Sequence, residues 1–342
     1  MPCATPSPPP VPVPVSAPVP SGRRRALRIL LAGLVVAGCA VLLASRVEGP
    51  RLLLALQRAD WTLVLVAALA NLGLNLAVRS ERWRVLLLRL PQASEPMATV
   101  PLSRGRLWWL YLAHLAANNL LPARAGEALR VVVLSRSAGL SVSGLVAVLL
   151  VEKGVETLSM GVVAALLLAL FSPPAALVGT LRWMLGLGLF CLALAFVLVG
   201  FSGRAEAVSG RVRAFVRSLL SALRLLHSSR LWGAALVYSW LSLAIDVAMI
   251  GLCLSSVGVS LPIVDWLFVF LALNLAIALP ATPGQVGVME AGAVIALSLL
   301  GVAGSDALAF ALLYHAAHIL PTTVLGIPAL LRLRRAASGA SA

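Results

Sequence analysis

The amino-acid sequence predicts an all-α polytopic membrane protein, with about six full spans plus two re-entrant broken-helix hairpins related as an inverted repeat. Three observations carry this expectation. Only 11% of the 342 residues are charged and 61% are hydrophobic, whereas soluble domains carry about 25% charge. Apolar stretches recur from residue 26 to residue 332, each long enough to cross a hydrocarbon core of about 30 Å as a helix. Two of these stretches are interrupted by proline and glycine in similar text. The alternating short strands of a membrane barrel are absent.

Residues 1–22 are proline-rich and uncharged, and read as a disordered cytoplasmic tail. Residues 23–334 read as a single membrane domain and 335–342 as a short flexible tail. The first span, roughly 26–45, follows "RRRALR" and contains "VAGC", which imitates a lipoprotein cleavage box. The apolar run continues past Cys39, so it is read as an uncleaved span. A second span covers roughly 60–78, and "RSERWRVLLLR" after it reads as a basic interfacial stretch. Residues 104–136 form the first broken hairpin, its two short arms divided by "LPARAG". Spans follow at roughly 141–170, 177–201 and 231–254. Between the last two, residues 206–229 alternate arginines with Val208, Val212, Phe215 and Leu219, the spacing of an amphipathic surface helix. Residues 262–304 form the second hairpin, divided by "PATPGQVG", and a last span covers roughly 305–331.

The net charge of +15 comes from arginines at the ends of apolar segments. That distribution points to anionic lipid headgroups at the cytoplasmic face rather than to nucleic acid. It places both termini, 79–106, 124–136 and 204–230 inside, with 171–180 and 255–265 outside. The first hairpin then enters from the cytoplasm and the second, without a basic residue, from outside. Arg46, Arg51 and Arg58 do not fit, beyond an interfacial helix with Glu48 and Asp60. The localisation expected is the plasma (inner) membrane of a bacterium.

The hairpins share Leu-Pro-Ala-x-x-Gly. Glu127 stands 25 positions before Glu152, and Glu290 stands 25 before His315. A broken hairpin followed by a polar-centred span thus occurs twice, in opposite predicted orientation, a pattern met in secondary transporters. The helix breaks are Pro122, Pro280 and Pro283. A helix restarting after the first break offers unpaired N–H groups and a positive dipole end. Arg124 and Arg130 flank that potential anion site. Irregular backbone at membrane depth must be buried in protein or line a wet cavity. The two breaks therefore imply either a polar cavity or packed, proline-kinked helices.

"LLVEKGVETLS" puts Glu152, Lys153 and Glu156 inside an apolar run. Isolated, the three would cost roughly 8–10 kcal/mol to insert. Lys153 and Glu156 can pair on one face, which leaves Glu152 to an arginine of the first hairpin, Arg124 or Arg130. The group is either an ionic latch or the lining of a pathway. Asn71 and Asn75 share a face of the second span. Asp246, His315 and His318 are candidate proton-relay groups. A metal site from His315, His318 and Glu290 is weakly signalled and none is expected, nor any cofactor. Cys3, Cys39, Cys191 and Cys253 stand apart, as small packing residues. No GxSxG, Walker loop or HExxH is present, so no catalytic residue is assigned.

"NNLLPARAGEALR", "VEKGVE" and "LPATPGQVGVMEAG", together with "RSERWRVLL" (Arg79, Arg82, Trp83), resemble the membrane domain of lysylphosphatidylglycerol synthases, here without a synthase domain. The resemblance covers about residues 30–330. It carries Asn119, Pro122, Arg124, Gly126, Glu127 and Arg130; then Glu152 with Lys153 and Glu156; then Pro280, Gly284, Gly287 and Glu290. The family's second motif usually reads Glu-Arg with a following Asp, and lysine cannot make arginine's fork. The resemblance implies a flippase-like transporter of a phospholipid or lipid-linked substrate, with these residues around the substrate. A membrane-embedded enzyme or assembly subunit acting on polyprenyl-linked glycans and a non-lipid solute or ion transporter are the alternatives. Oligomeric state is not legible.

Overall fold

A computed structural model describes residues 33, 37–45, 47–90, 102–121, 125–171, 178–179, 181–183, 185–186, 188–190, 218–220, 228–278 and 283–339, the side chains of 229 and 334–339 excepted. The proline-rich tail, Arg46, Pro122, Arg124 and Pro280 lie outside these residues, as do most of the spans and helix expected at 177–201 and 206–229.

Every regular element among the described residues is helical. Residues 37–45 are helical, and α1, Gly49–Arg58, follows. Arg51 pairs with Glu48 at 3.0 Å on its exposed surface, as expected for an interfacial helix. Asp60 then starts α2, Trp61–Leu87, by accepting a hydrogen bond from the Thr62 N–H at 2.9 Å. This cap satisfies one of the free donors of a helix start.

Helix α2 corrects two expectations. It does not end near residue 78, and the "RSERWR" stretch is not a surface segment of the bundle: the chain stays helical to Leu87, with Arg82 and Trp83 buried. Nothing in the text between 61 and 87 breaks a helix, and internal carboxylates satisfy the arginines. Its middle turn, Ala70–Asn75, widens into a π-helix that holds Asn71 and Asn75 in the interior. Such bulges commonly mark functional positions.

The first broken segment is α3, Arg104–Leu120, and α4, Ala125–Ala138. They pack against each other. The contact is so close that a methyl group at Gly126 would sit 2.1 Å from the His114 carbonyl oxygen. Helix α5, Val142–Leu170, starts on the Ser141 cap, and α6 spans Ser229–Ser256. The second broken segment is α7, Ile263–Ala278, a short 3-10 turn at Pro283–Gln285, and α8, Val288–Leu299. Gly284 and Gly287 hold φ of 67° and 88°, the left-handed region where glycine carries no Cβ penalty. Helix α9, Gly304–Gly339, packs along α3 and continues past residue 334, where a tail was expected.

Among the described residues, four helices are long and apolar enough to cross a membrane: α2, α5, most of α6 (Arg230–Ser256) and α9 up to Leu333. Each is about 40 Å or more in length. The protein is a multi-pass membrane protein. Its apolar interior has two parts. One gathers Met249, Phe268, Phe270 and Phe310 from α6, α7 and α9. The other gathers Trp83, Leu107, Leu134 and Val148 from α2–α5. The polar groups lie alongside these two bodies.

Candidate substrate site at the helix breaks

On α2, Asn71, Asn75, Arg79 and Arg82 follow at intervals of four, four and three, so a single face carries them all. That face meets α5 and α6.

Toward α5, Arg82 Nη2 contacts Glu152 Oε1 at 3.0 Å and also Glu156. Its Nη1 donates to Ser239 Oγ at 2.8 Å. Arg130 Nη1 from α4 takes the other oxygen of Glu152 at 3.2 Å, and the Tyr111 hydroxyl donates to Glu152 Oε1 at 3.3 Å. The Arg130 guanidinium sits 5.0 Å from the Trp83 ring centre and 5.1 Å from that of Tyr111. Aromatic faces stabilise a desolvated cation in this way. Arg82, Arg130 and Glu152 are each only 1% exposed. Lys153 Nζ holds Glu156 at 3.0 Å and Glu127 of α4 at 3.6 Å, at a more open edge where the lysine side chain is 44% exposed.

Two expectations meet their outcome here. Arg130 does pair with Glu152, and Lys153 with Glu156. Glu152, however, has a second cation, Arg82, which the charge reading did not assign to it. Arg82 sits beside the end of an apolar run, where the positive-inside rule accounts for an arginine equally well. The shared face with Asn71, Asn75 and Arg79 was the signal available in the sequence.

Toward α6, Arg79 Nη2 meets Asp246 Oδ2 at 2.6 Å. Its Nε donates to Ser242 Oγ at 2.9 Å and Asn75 Oδ1 at 3.2 Å. Asn75 Nδ2 donates to the other Asp246 oxygen at 2.7 Å. Asp246, a candidate relay group, is thus held at both oxygens.

The breaks are capped from within. The Gly126 N–H, expected to be open to an anion, donates to Asn118 Oδ1 at 2.8 Å. The Gly287 N–H donates to Glu290 Oε2 at 2.7 Å, and Glu290 Oε1 lies 2.5 Å from His315 Nδ1. Helix starts are satisfied by nearby side chains unless a ligand does so. His318, three residues on, does not join this pair. It stacks on Tyr314 with ring centres 5.7 Å apart, and its backbone oxygen accepts from Asn71 Nδ2 at 2.8 Å. The two breaks approach each other: a Cβ on Gly284 would lie 3.6 Å from the Asn119 carbonyl oxygen. Asn119 Nδ2 donates to Thr323 Oγ1 of α9 at 2.8 Å.

Below this meeting point lies a small open cavity of about 40 Å³, with Asn71, Arg79, Asn119, His318 and Thr322 in its wall. Leu76 and Leu115 form its apolar side. By volume it accommodates about three water molecules.

No curated protein matches the chain. The family model described as "Lysylphosphatidylglycerol synthase TM region" matches residues 29–326, which takes in α1 to α8, both breaks, every ion pair above and most of α9. With so much of its length matched, the chain belongs to the lysylphosphatidylglycerol synthase TM region family.

Proposed function

We propose that the protein is a flippase-like transporter that moves a phospholipid or lipid-linked substrate across a bacterial plasma membrane. The observation that carries this reading is the approach of the two broken segments at Asn119 and Gly284, with Asn119 also in the wall of a cavity lined by Asn71, Arg79, His318 and Thr322. Interrupted helices that converge on a polar site recur in secondary transporters.

A second observation supports an inverted repeat of two re-entrant hairpins within about six spans. In each unit the glutamate that opens the second arm reaches the next long helix: Glu290 to His315, Glu127 to Lys153. In this reading Arg82, Arg130 and Glu152 latch the first hairpin to α2 and α5. Glu127, Lys153 and Glu156 form the polar edge that faces the substrate, and Gly284, Gly287 and Glu290 shape the opposite wall. Transport changes no covalent bond, and the termini lie in the cytoplasm.

The test is a proteoliposome assay with fluorescent phosphatidylglycerol, phosphatidylethanolamine and a labelled polyprenyl phosphate. Wild type should speed movement of at least one of these tenfold or more over protein-free vesicles, and Lys153→Gln should slow it fivefold or more. Folded protein that moves none of the three would refute transport of these lipid classes. Covalently altered lipid in the mass spectrum would replace transport by the enzymatic alternative.

A further inference from the structure

Resting on that reading, we infer that the cavity beneath the two breaks receives an anionic oxygen of the substrate headgroup, phosphate or carboxylate, at Arg79. Four observations point there. First, the Arg79 guanidinium is committed on one side only. Nε and Nη2 hold Asn75, Ser242 and Asp246, while Nη1 has no partner among the described residues. Second, Arg79 lines the cavity, and its side chain is 24% exposed. Arg130, the cation expected at the anion site, is sealed between Trp83, Tyr111 and Glu152. Third, His318 and Thr322 of α9 line the same cavity, so its wall beside Arg79 is polar. Fourth, Asn119 brings the end of α3 to the same wall.

The chemistry follows from these groups. Guanidinium binds phosphate and carboxylate through charge-assisted N–H···O bonds. Asp246 already balances the charge of Arg79 from within, so the inbound group meets a neutral pair with one open donor edge. A space for about three waters admits an anionic oxygen of a headgroup and not the rest of the lipid.

The test uses purified full-length protein in dodecyl maltoside, with fluorescent phosphatidylglycerol and the matching diacylglycerol, which lacks the phosphate. Wild type should bind the phosphatidylglycerol probe at least tenfold more tightly. Asn119→Asp adds a negative charge to the cavity wall and leaves the Arg79–Asp246 pair intact. The double variant Arg79→Gln/Asp246→Asn removes both charges and keeps the site neutral. Each should reduce the preference below about threefold. Displacement of the probe by inorganic phosphate would identify a bare-anion site. Resistance to phosphate with the preference intact would identify a lipid headgroup site. Either outcome sustains the inference. Equal binding of the two probes by wild type, or an undiminished preference in Asn119→Asp, overturns it. The two proposals fail separately: an intact preference without lipid movement would sink the transport reading alone. Lipid movement unaffected by either variant, with no charge preference, would sink this one alone.

Discussion

The latch formed by Arg82, Arg130 and Glu152 makes a quantitative prediction through a double-mutant cycle on Arg130 and Glu152. The buried network contains three cations, Arg82, Arg130 and Lys153, and three anions, Glu127, Glu152 and Glu156. Arg130→Gln leaves one uncompensated negative charge and Glu152→Gln one positive charge. Removing one partner of a buried pair typically costs about 3–5 kcal/mol, because the other charge is stranded. Glu152→Gln should lie at the upper end, since it leaves Arg82 and Arg130 facing each other without the carboxylate that both contact. Arg130→Gln should lie at the lower end, since Arg82 still holds Glu152. The double variant restores neutrality, so its cost should fall short of the sum of the singles by about 2 kcal/mol or more. Denaturant unfolding in detergent, followed by tryptophan fluorescence, reads the cycle, and Trp83 beside Arg130 is a local reporter. Single costs below about 1 kcal/mol, or additive costs, would refute the latch.

Gly126→Ala places a methyl group 2.1 Å from the His114 carbonyl oxygen and should destabilise by about 3 kcal/mol, while Gly105→Ala, which meets nothing within 4 Å, should be neutral or mildly stabilising in the same unfolding assay. Asp60 caps α2, and its hydrogen bonds from the Thr62 hydroxyl and N–H lower its pKa below 3.8. Its contribution is therefore full at neutral pH and is lost as pH falls below that value; Asp60→Asn should retain the cap and abolish this acid-side dependence in a pH series of melting curves. Lys153 is the sole lysine of the chain and partly exposed; in proteoliposomes a membrane-impermeant amine-acetylating reagent should modify it, and Glu127→Gln, which removes one of its two carboxylates, should speed the reaction as read by peptide mass spectrometry.

How far the sequence disclosed this arrangement can be traced residue by residue. The interval of 25 between Glu290 and His315 marked a repeat, not a contact, yet the side chains meet at 2.5 Å. The matching interval from Glu127 ends at Glu152, but Glu127 meets Lys153, one position on. Glu152 faces inward to the two arginines instead. Helical text fixes which residues share a face, but not which neighbouring helix that face meets. The partner of Glu152 that was missed, Arg82, lies 70 residues away. No local pattern can give such a pairing. The capping of both breaks by Asn118 and Glu290 was also hidden, because proline and glycine announce an interruption but not what satisfies the freed N–H groups.

The charge arithmetic explains why such a network can persist in an apolar bundle and where it is free to change. Adding the Arg79–Asp246 pair gives four cations against four anions, so no net charge is stranded. Neutrality alone is not enough, since each ion still loses several kcal/mol of hydration on burial. Shared contacts offset part of the loss: Glu152 has Arg82, Arg130 and Tyr111, and Asp246 has Arg79 and Asn75, while Arg82 Nε and Arg130 Nε and Nη2 lack a partner among the described residues. The contacts are graded. The Arg82–Glu152 pair is sealed from solvent, whereas the Lys153–Glu127 pair is the longest at 3.6 Å and lies at the exposed edge. A longer pair at an open edge is cheaper to break than a sealed one. Of the pairs in this network, the contact between α4 and α5 at Lys153 is therefore the one that separates most cheaply.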